Sequence, residues 1–279
     1  MSTIKIKDAD VATKYYNVIE AGTSSEPHEP VVPDYRIPYA INQIFVDDAV
    51  TVSVREKAKS LIKFGKNTSL ASGVEETVWE VGGLETYPTT NTINTLVSTN
   101  AGDTQDVVIE GHTVTGTGTS AVFTFVSQTA TLNGTTNVTL TTPLARTSRI
   151  YNNDSTDFAG TVSVFINGGT THLQAITTDN QSLKCATTVS SVDYWIITGL
   201  TVAVERGSTA TVDFKLQVRE VGKTFRTQFF VTETNGGGHI EFTQPLIINP
   251  NSDVRLQATS NAASTAVSGA IHGYLAIIT

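Results

Sequence analysis

Apolar and polar residues alternate with a period of two along most of the second half of the chain. Thr211–Arg219 is the clearest case: Val212, Phe214, Leu216 and Val218 fall on one face, and Asp213, Lys215, Gln217 and Arg219 on the other. Successive side chains of a strand point to opposite faces, so this reads as a strand with one wet side. Similar runs predict strands at Ser182–Val189, Tyr194–Glu205, Phe225–Thr232, His239–Ile248, Asp253–Ala258 and Val267–Ile278. Pro245 interrupts one of them, as an edge strand or a bulge allows. Asn249-Pro250-Asn251-Ser252-Asp253 has the residues of a turn. Seven or so strands in roughly 100 residues predict a jelly-roll-like sandwich over residues 180–279.

Residues 91–179 carry shorter runs: Thr92–Ser98, Gln105–Glu110, Ala121–Ser127, Thr129–Leu132, Thr136–Thr141, Thr147–Asn152 and Thr161–Ile166. Gly- and Asn-containing turns separate them, and Asn133-Gly134 between two runs predicts a type I′ hairpin, which needs positive φ at both positions. This block is expected to be a β-sandwich of its own.

The first 90 residues lack such regularity. Pro27, Pro30, Pro33 and Pro38 favour extended backbone over a packed domain. Ala49–Val54 alternates as a strand would, and Arg55–Lys63 fits a short helix with Lys57, Lys59 and Lys63 exposed. Residues 1–90 are expected to form an extended arm with little regular structure. Its large apolar groups (Tyr35, Phe45, Leu61, Phe64, Trp79 and Tyr87) are the candidate docking residues, because leaving such groups wet costs about 1.5–3 kcal/mol each. The fold class expected is therefore all-β: two consecutive antiparallel sandwiches, the second jelly-roll-like, behind an extended N-terminal arm.

Composition sharpens this. Thr contributes 46 residues and Ser 21, whereas Lys, Arg, Asp and Glu reach only 16%. Long helices draw on the residues that are scarce here, so a helical bundle is excluded. The net charge of −8 argues against a nucleic-acid partner, and no polybasic segment offers a membrane anchor. One cysteine, Cys185, excludes an intrachain disulfide framework. With no apolar run of signal-peptide length, synthesis in a cytosol without export is expected.

Candidate chemistry is thin. The histidines (His28, His112, His172, His239, His272) lack zinc-ligand spacing. Asn152–Asp157 gathers oxygen ligands that could hold Ca²⁺ or close an Asx-turn, and it lacks the EF-hand frame. Glu75-Glu76 and Asp47-Asp48 are adjacent pairs whose members would point to opposite faces of a strand. No nucleophile elbow, phosphate loop or dinucleotide fingerprint is present. Gly236-Gly237-Gly238 reads as a hairpin tip and Cys185 as a packed thiol. Tyr194-Trp195 and Phe229-Phe230 should each place one ring outward, on a sugar platform or in a subunit interface. No catalytic residue, metal ligand or cofactor is expected.

Two segments, Lys59-Ser60-Leu61-Ile62-Lys63-Phe64-Gly65-Lys66-Asn67 and Glu76-Thr77-Val78-Trp79-Glu80-Val81-Gly82-Gly83, resemble accessory virion proteins of tailed phages that infect marine bacteria, with Lys66 where those carry Arg. Ala130–Thr136, Gln181-Ser182-Leu183, Pro245–Ile248, Ser252–Leu256, Val267-Ser268-Gly269 and Tyr274-Leu275 follow in the same order. The resemblance spans residues 59–278 and leaves the first 58 uncovered. It implies a capsid-decorating or otherwise virion-attached component, with no catalytic residues to transfer. The expectation is a non-enzymatic structural protein made in the bacterial cytoplasm and carried on the virion. It would dock on other virion proteins, such as the major capsid protein, through its arm. It would associate with its own copies through the β-domains, as a trimer by analogy with viral jelly rolls. A tail or neck component that binds a receptor or glycan is the alternative.

Overall fold

The computed structural model describes residues 2–6, 14–18, 59–177, 179–205 and 209–276. The chain divides into two compact units, 1–36 and 37–279. In the first, β1 (Ser2–Ile6) and β2 (Lys14–Val18) form an antiparallel pair, with Ser2 opposite Val18 and Ile6 opposite Lys14. Regular structure thus exists within the segment expected to be an arm.

Among its described residues the second unit is all-β with antiparallel strand ladders, and its strands form two sandwiches. One contains β5 (Ile93–Ser98), β6 (Asp106–Thr115), β7 (Val122–Thr131), β8 (Val138–Leu144), β9 (Arg146–Asn152), β10 (Val162–Ile166) and β11 (His172–Ile176), preceded in the chain by β3 (Lys59–Leu70) and β4 (Glu75–Thr77). Its sheets run β11-β10-β5-β8 and β7-β6-β9. Ile93, Leu96, Ile109, Leu144, Ile150 and Val164 from both sheets are fully buried between them.

The other sandwich uses β12 (Ala186–Thr188), β13 (Tyr194–Val204), β14 (Thr211–Glu220), β15 (Arg226–Thr234), β16 (Gly236–Ile248), β17 (Ser252–Ser260) and β18 (Thr265–Ala276). One sheet runs β16-β13-β18-β3, and the other β12-β17-β14-β15 with β4 also on β17. This is jelly-roll pairing. Its core includes Leu70, Trp195, Leu200, Phe214, Leu216 and Leu256. The alternation of Val212, Phe214 and Leu216 into this core is as the sequence predicts. Pro245 lies in edge strand β16, between Leu246 opposite Ile197 and Glu241 opposite Gly199, where the register shifts.

The sandwiches are nested, not consecutive. β3 and β4 belong to the C-terminal jelly roll, β3 against β18 and β4 against β17. β4 and β12 are two halves of one strand on β17: Thr77 pairs with Gln257, and Ala186 with Arg255. Between them Val78 N donates to Leu256 O (2.9 Å), Leu256 N to Cys185 O (2.9 Å) and Cys185 N to Val78 O (2.9 Å). The chain leaves the jelly roll at Val78, builds the first sandwich, and re-enters the same strand at Cys185.

This corrects the expected arm over residues 59–90 and, at Lys59–Lys63, the expected helix, whose residues 55–58 lie outside the described residues. Lys59–Lys63 fits either period, but Lys63, Gly65 and Asn67 are buried while Ile62, Phe64 and Lys66 are exposed, and β18 completes the ladder on one side. The Asn133-Gly134 hairpin is also corrected. Only Gly134 takes positive φ (56°). The strands on either side, β7 and β8, belong to opposite sheets, so the chain crosses the sandwich here. Gly134 N donates to Asp103 O, and Gly134 O accepts from Ser98 N, which ties the turn to the end of β5.

Candidate functional site

Lys59–Asn67 and Glu76–Gly83 meet at the strand break. Asn67 Nδ2 donates to Glu76 Oε2 (3.0 Å), and the Glu76 carboxylate also accepts from Ala71 N (2.7 Å) and Gly83 N (2.7 Å). Trp79 Nε1 donates to the carbonyls of Gly82 and Gly83, both with positive φ, where glycine avoids Cβ strain. At Gly65 β3 passes so close to the break that a Cβ would collide with Cys185 N and Val78 O. Glu80 accepts from Leu183 N (3.0 Å) and from Thr177 Oγ1 on the inserted sandwich.

Buried charge fills the seam between the sandwiches. Arg146 on β9 meets Asp253 on β17 (Nε to Oδ1, 2.8 Å), and Arg219 and Thr188 Oγ1 also donate to that carboxylate. Burial alone would raise the Asp253 pKa, but the two guanidinium groups hold it below the usual carboxylate range. Arg146 also donates to Pro88 O. The Tyr87 ring stacks near Arg219 (4.4 Å), Arg146 (5.1 Å) and Phe225 (5.2 Å), and its hydroxyl donates to Glu85 Oε2 (2.7 Å). Glu85 pairs with Lys184, whose ammonium also donates to Thr147 O (2.9 Å) and Leu173 O (3.3 Å). These charges are consumed by one another and by backbone carbonyls.

Beside this seam a cleft of about 660 Å³ opens between β3 and the inserted sheet. Ile62 and Phe64 of β3, Phe125 of β7 and Val192 of the loop before β13 stand exposed around it, at 49%, 38%, 49% and 61%. Its polar floor holds Lys63, Glu110, Arg149 and His112. Arg149 and Glu110 form a bidentate pair (3.0 and 3.1 Å). Lys63 Nζ donates to Ser148 O (2.6 Å), and no carboxylate among the described residues lies within ion-pair distance of it. Burial, with Lys184 and Arg149 nearby, pulls the Lys63 pKa down to about 8. Burial likewise pulls His112 down to about 4, and its Nδ1 has no partner.

Of the candidate docking residues, Leu61 and Phe64 line the cleft. Trp79 is 2% exposed, and Tyr87 is half-buried with its ring against Arg146 and Arg219 of its own chain. Tyr35 and Phe45 lie outside the described residues. Asp154 N donates to Asn152 Oδ1, giving the Asx-turn reading of that loop a direct contact. Cys185 is buried, which pushes its thiol up to about 12. Trp195 is fully buried, while Phe230 is 51% exposed. Among the described residues no group of three His, Cys, Asp or Glu side chains could hold a metal ion.

Sequence reasoning passed over Arg146, Lys184, Asp253 and Glu85. A signal existed for Lys184: it shares one face of the expected strand Ser182–Val189 with Ser182, Ala186 and Thr188, an uncommon place for a lone cation in so charge-poor a chain.

No family model matches the chain, and no curated protein does. Among solved structures, a similar chain is that of the infectious bursal disease virus VP2 subviral particle. It is 9% identical, over 79% of this chain and 72% of that one, with a TM-score of 0.19. A score that low carries no conclusion about this chain's fold or role.

Proposed function

We propose that this chain is a non-enzymatic virion structural protein of a tailed bacteriophage, a capsid decoration or cement protein that associates with its own copies and with the major capsid protein. One observation carries the reading: the residues that resemble phage accessory virion proteins are spent on holding the fold. Asn67, Glu76 and Trp79 close the strand break, and Lys63 and Glu80 reach from beside it to Ser148 and Thr177 of the inserted sandwich. Motifs of this kind fit a scaffold better than a reaction site, since their polar atoms already have partners. The buried ion network supports the same role, because it holds two sandwiches in one fixed relation, as a load-sharing component of a particle requires.

The test is location. Cryo-electron microscopy of the virion, with the protein tagged, is expected to place it on the outer face of the capsid lattice. Density at the tail tip or neck would favour receptor or glycan attachment, and absence from purified particles would overturn the proposal.

A further inference from the structure

We propose that the cleft beside β3 receives the Phe45–Val50 segment of a second copy of this chain, laid as an added strand along the free edge of β3. The inference names the surface through which copies join, and in that sense deepens the assembly role proposed above.

The edge comes first. Among the described residues β3 has β18 on one side and no strand on the other. Its free edge faces the cleft from Lys59 to Phe64 and closes at Lys66, whose N–H reaches Leu183 O. An open edge presents unpaired backbone donors and acceptors to any extended segment. Six residues of edge match the six of Phe45–Val50, at about 3.3 Å per residue.

The chemistry of the walls is specific. Ile62, Phe64, Phe125 and Val192 offer apolar area, while Lys63 offers a 7%-exposed ammonium with a carbonyl partner and no carboxylate. Lys59, Lys63 and Arg149 against Glu110 and Asp193 leave the lining at +1 (three cations less two anions), in a chain of net charge −8. An occupant should therefore be extended, apolar and acidic. Phe45-Val46-Asp47-Asp48-Ala49-Val50 has that composition, and one of its two acids would face Lys63 in either register.

A second copy is favoured over the same chain by the intervening residues. Thr51-Val52-Ser53-Val54-Arg55-Glu56-Lys57-Ala58 contains no Gly, Pro, Asn or Asp, and Ser53 is the one residue in it of the kinds that a tight reversal onto its own β3 would use.

Disulfide trapping on full-length protein tests this. Chains carrying Ala49→Cys or Val46→Cys are mixed with chains carrying Ile62→Cys and mildly oxidised; Cys185 is buried and unreactive. A covalent heterodimer, formed in the mixture and not by any variant alone, is expected. In parallel, Asp47→Asn combined with Asp48→Asn should weaken self-association in sedimentation equilibrium by at least about tenfold. Its thermal midpoint should be unchanged, which separates lost docking from misfolding. A cross-link formed by one variant alone, no cross-link in the mixture, or unaltered self-association would each overturn the inference. Failure here is distinct from failure of the assembly role: a non-exchanging chain found on virions overturns only this surface, and an exchanging chain absent from virions overturns only the role.

Discussion

The interiors of the two sandwiches and the seam between them are built from opposite materials. Inside each sandwich the buried clusters are aliphatic and aromatic, from Ile93 to Ile176 in one and from Leu70 to Ile271 in the other. Among the described residues the seam has a small apolar cluster (Val114, Phe123 and Ala145) beside the Arg146–Asp253 and Lys184–Glu85 pairs. Apolar packing is non-directional and loses stability in proportion to what is removed. A buried ion network is directional, and it fails when one partner is lost, because the other charge is left without water or a counter-ion. The insertion sits within a single strand, so both of its connections leave the jelly roll at one point, Val78 and Cys185.

Asp253→Asn should cost about 3–5 kcal/mol in chemical denaturation, because Arg146 and Arg219 both lose their carboxylate. Phe214→Ala, which removes a fully buried ring, should cost a comparable 3–5 kcal/mol or so. Equal losses from deleting one charge and a whole ring would sustain the contrast between seam and core; a near-neutral Asp253→Asn would break it.

Acid should act on the seam next. His112 is neutral in the fold, and its pKa is pulled from 6.5 to about 4. Below pH 6.5 the unfolded chain takes up a proton that the folded one refuses until about pH 4, so stability falls with pH across that window, by up to about 3 kcal/mol. His112→Leu should flatten that part of a stability–pH curve measured by urea unfolding. Asp253, whose pKa is depressed, adds stability that is present above its unfolded value and lost as pH falls through its folded one. Lys63 acts at the other end. Its folded pKa of about 8 lies below the unfolded 10.5, so stability should rise with pH between about 8 and 10.

Gly65→Ala should cost about 1–3 kcal/mol, since its Cβ would press on backbone and not on a flexible side chain. Phe64→Ser should change stability by only about 0.5 kcal/mol or less, because the ring is partly exposed on the cleft. The same change should weaken self-association measured by mass photometry.

Legibility followed the same division. β14 could be read directly, because its outward face is wetter than its core face and imposes a period of two on its residues. β3 could not: Lys59, Leu61, Ile62 and Lys63 satisfy a helical turn as well as a strand, and only pairing with β18 decides between them. Of the candidate docking residues, Leu61 and Phe64 fall on one cleft, but Trp79 and Tyr87 are engaged by Gly82, Gly83, Arg146 and Arg219, partners a local pattern does not name.

By itself the sequence determined the class of structure and most of its strands, because alternation and turn chemistry are local and each residue reports its own face. Only the tertiary structure decided that one sandwich is inserted into a strand of the other. Glu76, Arg146, Lys184 and Asp253 take their meaning from partners such as Asn67, Asp253, Glu85 and Arg219, many of them dozens of residues away. A buried charge is stable only where a counter-charge meets it, and that meeting is a property of the fold.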